Sequence, residues 1–324
     1  MKLSVIIINY KVPEYLLQCL DSLYKSLEGV DSEVIVVDNH SQDDSRSWVT
    51  SYFPKVEWID APENLGFARA NNLAIRRAQG AYVLLLNPDT FISENCIRRV
   101  LDFADQAPDF GALGVRMIDT YGRFLPESKR NLPTMWSSFC KMSGLWRILG
   151  RNPYYNEHLG EKECGETPVL AGAFLLMNRQ ALGDTALFDK DFFMYGEDID
   201  LSYRITQAGF KNYYFPETIV HYKGESAKKN SMMTVRLFYD SMRIYYKKHY
   251  TNKFWYAMVV ICVQILTFFS YIFTFFRSHS IFVAREVVEY NAAEHSYEEL
   301  IGLIDANTTL KRVVIRHDDF SIRL

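Results

Sequence analysis

The sequence predicts an α/β fold: a mostly parallel, Rossmann-like sheet flanked by helices. Short apolar runs alternate with segments of helical periodicity, the pattern of successive β-α-β units. In chain order, the predicted elements are strands at 4–8, 33–37, 56–60 and 82–86, with helices at 13–27, 41–53 and 67–79 between them. Right-handed crossovers place the carboxyl ends of such strands at one edge of the sheet, where open α/β sheets bind ligands.

The first strand and the helix after it follow from their apolar spacing. The run at 4–8 ends at the polar segment 9–11 and lacks the long apolar region and cleavage site of a signal peptide. Leucines then recur at helical spacing over 16–27, and Pro13 lies in the first turn, where proline is favoured.

Capping residues bound the second and third helices. Ser41 or Asp43 is the predicted N-cap of the second helix, and Gly80 is the predicted C-cap of the third. Segment 111–164 is irregular and rich in aromatic residues, and it is predicted to be a lid or a substrate-selecting insertion. The remaining predicted elements are helices at 92–104, 198–208, 232–249 and 286–304, a glycine-broken strand pair at 169–177, and strands at 213–215, 219–221 and 312–316.

Composition narrows the class of protein. The chain has 324 residues, of which 48% are hydrophobic and 15% aromatic, so it can form a globular core. A formal net charge of −3 gives no electrostatic reason to expect nucleic-acid binding. The five cysteines form no C-x-x-C pair and are odd in number, which favours neither a zinc site nor a disulfide framework and fits a reducing, cytoplasmic setting.

An uncharged apolar stretch at 254–276 is long enough to span a bilayer core of roughly 30 Å. Lys247, Lys248 and Lys253 precede it, and this positive flank would leave the main domain in the cytoplasm. The alternative is a helix that is buried or lies at the membrane interface. The chain is therefore predicted to contain a main domain (1–250), a membrane-associated or transmembrane helix (254–276) and a tail (277–324).

A carboxylate follows the fourth predicted strand. The apolar run at 82–86 leads into Asn87-Pro88-Asp89, and Pro88 cannot donate a ladder hydrogen bond, so pairing stops there. An acid beside an amide at this edge suits a divalent metal, which favours oxygen ligands. The alternative is an ordinary turn, because Asn, Pro and Asp are common turn residues.

Two other segments carry groups suited to a nucleotide. Asp38 ends the second strand, where a carboxylate can bind a base or ribose; the alternative is a helix-capping turn. Gly66 lies where the third helix begins and permits close backbone approach to phosphate, with which Arg69 can pair. Neither a Walker A loop nor G-x-G-x-x-G is present in the sequence, which argues against a nicotinamide dehydrogenase.

Three carboxylates, Glu197, Asp198 and Asp200, are crowded at a predicted helix start beside apolar residues. Such crowding raises carboxylate pKa values, which suits a general base; the alternative is helix capping and solvation. His221 ends a short strand and opens the basic loop 221–230. That loop is predicted to close over a diphosphate while His221 binds the metal; the alternative is a structural histidine, the more common role of a lone His.

In their order and spacing, these segments resemble family 2 glycosyltransferases of the GT-A fold, and more narrowly their rhamnosyltransferase-like branch. The resemblance covers roughly residues 3–229. It is carried by SVIIINY, VIVVDNHSQD, ENLGFARANN, LLLNPDT, AGAFLLMNR, FMYGEDIDLSYR and HYKGES. The family's D-x-D metal motif corresponds here to Asn87-Pro88-Asp89, in which the first acid is an amide.

The resemblance implies a role for each candidate residue. Asp198 is the catalytic base, supported by Glu197 and Asp200. Asp89 and His221 hold Mg²⁺ or Mn²⁺. The implied nucleotide-binding residues are Asn9, Tyr10, Asp38, Asn64, Gly66, Arg69 and Asn87, and the implied donor-sugar residues are Gly172 and Ala173.

The resemblance also implies an activity: inverting, metal-dependent transfer of a sugar, with rhamnose as the candidate, from a nucleotide diphosphate donor. The implied acceptor is a hydroxyl of a glycan or lipid-linked glycan in surface polysaccharide biosynthesis. The implied location is the cytoplasmic face of the inner membrane, with peripheral or single-span attachment. The alternative is a non-catalytic, membrane-associated protein that binds nucleotide-sugars or acts as a scaffold. A nucleotidyltransferase is disfavoured because residues 4–15 contain one Lys and no Gly.

Overall fold

The computed structural model describes residues 1–107, 109–223, 232–250, 256–261, 263–264, 267, 287–307, 311–318, 320 and 322–323. Its strands are β1 Leu3–Asn9, β2 Ser32–Asp38, β3 Glu57–Asp60, β4 Tyr82–Leu86, β5 Thr90–Phe91, β6 Phe110–Ile118, β7 Lys129–Arg130, β8 Gly165–Glu166, β9 Val169–Leu170, β10 Phe174–Asn178, β11 Lys211–His221, β12 Val287–Asn291, β13 Arg312–His317 and β14 Ile322–Arg323. Its labelled helices are α1 Pro13–Ser26, α2 Ser45–Tyr52, α3 Gly66–Ile75, α4 Cys96–Gln106, α5 Met135–Ser143, α6 Trp146–Leu149, α7 Arg179–Leu182, α8 Glu197–Gln207, α9 Met232–His249 and α10 Tyr297–Asp305, with 3₁₀ turns at Pro126–Ser128 and Gly183–Ala186.

The main sheet has the order β3-β2-β1-β4-β10-β6-β11-β5, with β8 also paired to β11. Strands β1 to β4 are parallel to one another, β10 is antiparallel to both β4 and β6, and β11 is parallel to β6. Asn9, Asp38 and Asp60 are aligned in register at the ends of neighbouring strands. The predicted mostly parallel sheet and its common carboxyl edge are therefore confirmed.

Both faces of this sheet are covered, which explains why its strands are continuously apolar instead of alternating. All seven residues of β1 are buried. Val5 and Ile7 pack in the core formed with α1 and α4, whereas Ile6 and Ile8 pack in the core formed with α3 and α8. The rigid sheet therefore fixes the positions of the loops at its carboxyl edge.

Several predicted helix boundaries were wrong, among them the start of α4, which begins at Cys96 and not at residue 92. Helix α2 begins at Ser45 with Asp44 as its N-cap, so neither Ser41 nor Asp43 caps it. Ser41 lies in the preceding turn, where its hydroxyl accepts the backbone N–H of Lys11 at 3.0 Å. Helix α3 ends at Ile75, so Gly80 does not cap it. The Gly80 N–H instead donates to Ser4 Oγ at 2.8 Å, which fixes the approach to β4.

The segment 111–164 is less irregular than predicted, because the completely buried strand β6 overlaps its beginning. Gly111 and Gly114 obscured this strand in the sequence. A Cβ at Gly111 would lie 2.5 Å from Ile205 Cγ2, so α8 packs directly on the bare backbone there. The two short strands predicted at 213–215 and 219–221 are one strand, β11, with an irregularity between Phe215 and Thr218.

The tail forms a second, smaller sheet in which β12 and β13 are parallel and α10 connects them. A helix starting at residue 286 was therefore wrong: β12 comes first, and Ser296 caps α10 through a capping box with Glu299. The apolar face of α10 packs in the same core as α1 and α4.

The predicted helix at 254–276 lies mostly outside the described residues; within it, 256–261, 263–264 and 267 are helical. In the part of the chain that the structure describes, every helix is too short or too polar to span a bilayer. The boundaries 1–250, 254–276 and 277–324 stay predictions.

Candidate functional site

The carboxyl ends of β1 and β2 form the first part of the site. Asn9 Nδ2 donates to Asp38 Oδ1 at 2.9 Å and to Ser41 Oγ at 3.2 Å, while Asp38 Oδ2 accepts the Ser41 N–H at 3.0 Å. Asn9 is buried, and its Oδ1 has no hydrogen-bond partner within the described residues. Because buried acceptors normally find a donor, this oxygen is available to a ligand. Tyr10 follows at the rim, with Lys11 Nζ 5.3 Å from its ring centroid.

A second amide network joins β2 to the start of α3. Asn39 is buried; its Nδ2 donates to Asn64 Oδ1 at 3.0 Å, and its Oδ1 accepts the Leu65 N–H at 2.8 Å. The same Asn64 oxygen accepts the Gly66 N–H at 3.0 Å. Sequence reasoning selected Asn64 and Gly66 but missed Asn39, although it directly follows Asp38 in the sequence.

Gly66 is required by its surroundings. Its φ is +74°, and an added Cβ would lie 2.4 Å from the Phe193 carbonyl oxygen. The next N–H, that of Phe67, donates to the same oxygen at 2.8 Å, so the start of α3 lies directly against the 190–194 loop. Arg69 lies on the exposed side of α3, and its Nε donates to the Lys190 carbonyl at 3.1 Å.

Asp89 and His221 are brought together by the pairing of β5 with β11, in which Thr90 lies opposite His221. Asp89 is 3% exposed, and its Oδ1 lies 3.3 Å from His221 Nε2. The His221 Nδ1 is buried without a hydrogen-bond partner in the described structure.

The Asp89 and His221 donors fit a divalent ion. A carboxylate oxygen is a ligand that both Mg²⁺ and Mn²⁺ favour, and the imidazole nitrogen beside it favours a transition metal such as Mn²⁺ over Mg²⁺. No group of three or more His, Cys, Asp or Glu side chains suited to a metal lies within the described residues. Mg²⁺ takes an octahedral ligand set and usually keeps waters and substrate phosphates, so these would supply its remaining ligands.

The loop between β9 and β10 contacts both the Asn87-Pro88-Asp89 turn and Asp198, the predicted base. The Ala173 carbonyl accepts the Asn87 N–H at 2.9 Å, and the Gly172 N–H donates to Asp198 Oδ2 at 3.3 Å. Two adjacent residues of one loop thus touch both Asn87, in the N-x-D turn, and Asp198. The predicted donor-sugar residues, Gly172 and Ala173, therefore lie between the Asn87-Pro88-Asp89 turn and Asp198.

Asp198 is positioned by the chain reversal that starts α8. Tyr195 and Gly196 have φ values of +71° and +80°, and Asp198 follows in the first helical turn. Its Oδ2 accepts Arg130 Nη2 at 2.5 Å, and its Oδ1 accepts the Ile199 N–H at 2.8 Å. Burial disfavours the charged form of Arg130, yet the facing Asp198 carboxylate holds the pKa of Arg130 above its ordinary value.

The other two carboxylates have different surroundings. Glu197 is buried with Oε2 unpartnered in the described structure, and burial together with the Asp198 charge raises the pKa of Glu197. Asp200 is completely buried and accepts Arg204 Nε and His249 Nε2, each at 2.7 Å. Asp200 thus joins α8 to α9, and it does not line the cavity that adjoins Asp198.

A cavity of about 170 Å³ adjoins Asp198. Its lining combines charged groups with apolar and aromatic walls from the 130–154 segment, the start of α8 and helix α9: Arg130, Pro133, Ser138, Lys141, Tyr154, Tyr195, Gly196, Glu197, Asp198, Ile199, Phe238, Ser241, Met242, Tyr245 and Tyr246. Sequence reasoning missed Arg130 and Lys141, because no motif marks them within segment 111–164. The predicted closing loop lies largely outside the described residues, which stop at Lys223 and resume at Met232.

The chain is similar in sequence to known glycosyltransferases. The sequence profile of the family described as "Glycosyl transferase family 2" matches residues 4–185. The chain is 32% identical over 247 residues to an N-acetylglucosaminyl-diphospho-decaprenol L-rhamnosyltransferase of Mycobacterium tuberculosis, which covers 70% of this chain and 78% of that protein. It is also 29% identical over 133 residues to the poly(ribitol-phosphate) beta-N-acetylglucosaminyltransferase TarS of Staphylococcus aureus, covering 40% of this chain and 23% of that protein.

Solved structures share the fold. TarS of S. aureus superposes with a TM-score of 0.51 at 19% identity over 75% of this chain and 39% of that chain. The mannosyltransferase PcManGT of Pyrobaculum calidifontis, solved with GDP-Man and Mn²⁺, superposes with a TM-score of 0.54 at 20% identity over 78% of this chain and 64% of that chain. The chain thus spans only part of either solved structure, and the likeness concerns the GT-A fold alone. From its profile match and its sequence relatives, the chain belongs to glycosyl transferase family 2 and is a glycosyltransferase.

Proposed function

We propose that this protein transfers a sugar, with rhamnose as the candidate, from a nucleotide diphosphate donor to a hydroxyl of a lipid-linked glycan, with inversion of the anomeric configuration. The observation that carries the proposal is the 171–173 loop, whose backbone contacts both Asn87 beside Asp89 and the carboxylate of Asp198. A donor sugar on this loop would lie between the diphosphate site and a proton acceptor.

The nucleotide would bind at the ends of β1 and β2. The unpartnered Asn9 oxygen and the Asp38 carboxylate would accept hydrogen bonds from the base or ribose. Tyr10 lies at the rim of this pocket, and the Asn64–Gly66 turn would line the nucleotide with its backbone. Arg69 would reach the diphosphate only after leaving the Lys190 carbonyl.

Asp89 and His221 would hold Mg²⁺ or Mn²⁺, as their donor atoms fit such an ion. When bound, the ion neutralises charge on the departing diphosphate. Asn87 contributes an amide in place of the family's first acid, so Asp89 is the principal carboxylate ligand.

Asp198 would act as the general base. Its Oδ2 is occupied by Arg130 and Gly172, whereas Oδ1 accepts only the Ile199 N–H among the described residues and can accept a second hydrogen bond. The acceptor oxygen attacks the anomeric carbon as its proton passes to Oδ1. The bond between that carbon and the diphosphate oxygen breaks, and the nucleoside diphosphate leaves with the bonding pair. Glu197 supports this base electrostatically, and Asp200 fixes the helix that carries it.

The acceptor class follows from the cavity and the relatives. The mycobacterial relative is named for an acceptor in which N-acetylglucosamine is joined to decaprenol through a diphosphate. The cavity beside Asp198 has aromatic walls from α9, and the apolar stretch 254–276 follows that helix in sequence. We place the protein peripherally at the cytoplasmic face of the membrane, where such an acceptor is found.

The first experiment is calorimetric titration of the purified protein with thymidine, uridine and guanosine diphosphates and their sugar nucleotides, with and without Mn²⁺. We expect metal-dependent binding of one base class. Transfer is then assayed with that donor and a short prenyl-diphosphate N-acetylglucosamine, with product configuration determined by NMR.

Asp198→Asn tests the role of the base. Transfer should fall by about 10²- to 10⁴-fold while nucleotide binding persists, because this is the usual contribution of general-base catalysis. Normal turnover by this variant would refute the assigned role. A well-folded wild-type protein that binds no sugar nucleotide would refute the proposed donor class.

A further inference from the structure

Lys141 is a cation in the cavity beside Asp198 that the proposed reaction does not use. It lies in α5, and its Nζ is 3.5 Å from the ring centroid of Tyr154 and 5.1 Å from that of Tyr155. No carboxylate lies within ion-pair distance of it in the described structure. Arg130, by contrast, is paired with a carboxylate: its Nη2 donates to Asp198 Oδ2 and to the Leu170 carbonyl.

The surroundings of Lys141 favour a bound anion. Burial, together with the Arg130 charge, lowers the pKa of Lys141 to about 7. Glu127 and Asp198 partly offset this effect, but Glu127 is paired with Lys223 and Asp198 with Arg130. An incoming anion would therefore meet a lysine without a carboxylate partner, and pairing would stabilise its charged form and offset the cost of burying it.

The cavity also indicates which substrate supplies the anion. Asp198 lines it, whereas the nucleotide residues Asn9, Asp38 and Gly66 do not. Besides Arg130 and Glu197, the remaining lining is largely aromatic and apolar, and it comes from α9, the 130–154 segment and the start of α8. The cavity thus combines a lysine that has no carboxylate partner among the described residues, a candidate proton acceptor and an apolar surface. An acceptor that contains a sugar, a phosphate and a lipid would use all three.

We propose that Lys141 binds a phosphate group of the acceptor and thereby selects phosphate-linked acceptors over neutral glycosides. This inference rests on the proposed function, because it assigns a specificity-determining residue to the acceptor side of the same site. Arg130 acts differently, as a positioning residue for Asp198.

The test compares two acceptors in steady-state kinetics: N-acetylglucosamine on a short prenyl diphosphate, and the matched octyl glycoside without phosphate. Lys141→Met should raise the KM for the diphosphate acceptor by about 10- to 100-fold, as expected for loss of a charged hydrogen bond. The KM values for the donor and for the octyl glycoside should stay within twofold. Lys141→Arg should restore most of the loss, and Lys55→Met, at an exposed lysine, should behave as wild type.

A binding measurement separates this inference from the proposed function. The prenyl-diphosphate sugar is titrated into wild-type and Lys141→Met proteins in EDTA, without donor, so that neither turnover nor a metal ion contributes. At least tenfold weaker binding by the variant supports the assignment even if no transfer is found. Equal binding by the two proteins, or no binding to wild type, overturns it. If Lys141→Met instead weakens metal-dependent nucleotide diphosphate binding, the phosphate belongs to the donor and the acceptor assignment fails.

Discussion

Replacing Gly66 with alanine tests the junction between the nucleotide turn and the 190–194 loop. Gly66 has φ +74°, and its added Cβ would lie 2.4 Å from the Phe193 carbonyl oxygen and 2.7 Å from Phe193 Cδ2. The nearest atom is backbone, so the two segments must separate. Gly29 provides a matched control, because its φ is +76° and an added Cβ would meet nothing within 4 Å.

The two substitutions share the cost of placing alanine in a left-handed conformation and differ in whether the added Cβ clashes with a neighbour. A left-handed conformation costs an alanine about 1–2 kcal/mol, which both variants share. Overpacking adds about 1–3 kcal/mol in Gly66→Ala alone. We therefore expect the free energy of unfolding to fall by about 2–5 kcal/mol in Gly66→Ala and by about 1–2 kcal/mol in Gly29→Ala.

Thermal unfolding and nucleotide titration measure the result. At about 2–4 °C per kcal/mol, the Tm of Gly66→Ala should fall by roughly 4–20 °C. Its nucleotide affinity should fall by about tenfold or more, since Gly66 shares Asn64 Oδ1 with Asn39. Gly29→Ala should keep wild-type affinity. Equal Tm shifts for the two variants, or unchanged affinity in Gly66→Ala, would refute the reasoning.

Three further outcomes are expected. Arg130→Met should lower the free energy of unfolding by about 3–5 kcal/mol in denaturant titration, because it leaves the half-buried Asp198 charge unpaired. The exposed pair of Arg46 with Asp60 provides a control: Arg46→Met should lower the free energy of unfolding by less than about 1 kcal/mol. Burial raises the pKa of Glu197, so the stability of the wild-type protein should fall as pH rises through that pKa. Glu197→Gln should therefore raise the Tm more near pH 9 than near pH 5. A rise in Tm that does not depend on pH would contradict this. EDTA should abolish transfer and Mn²⁺ restore it, whereas Asp89→Ala with an unchanged Mn²⁺ requirement would contradict the metal assignment.

The parts of the fold that were predicted correctly are those fixed by local sequence. Strands β1, β2 and β4 are continuously apolar and α1 has a leucine stripe, so their types and approximate bounds could be read directly. Boundaries failed where a tertiary contact replaced a local cap. Gly80 was predicted to be a C-cap, but its N–H donates to the Ser4 hydroxyl, and no local sequence pattern indicates that contact.

The site shows the same division. Asp89 and Asp198 were selected because each directly follows or starts a recognisable element. Arg130 lies in the two-residue strand β7, 68 positions from its partner Asp198, and nothing around it in sequence marks it. Lys141 was missed for the same reason: its chemistry depends on aromatic rings and charges that only the fold assembles around it.

The docking of the tail on α1 has a consequence for synthesis of the chain. The Gln18 side chain accepts the Tyr222 hydroxyl at 2.7 Å and lies 3.0 Å from the His317 ring nitrogen. Gln18 and His317 are 299 residues apart in sequence, and Tyr222 directly follows His221 at the end of β11. Contacts this distant in sequence form late, because the intervening loop must close first. We therefore expect a nascent chain still lacking β13 to hold its main sheet but to leave Tyr222 and the neighbouring His221 less firmly fixed until β13 has been made and has docked on α1.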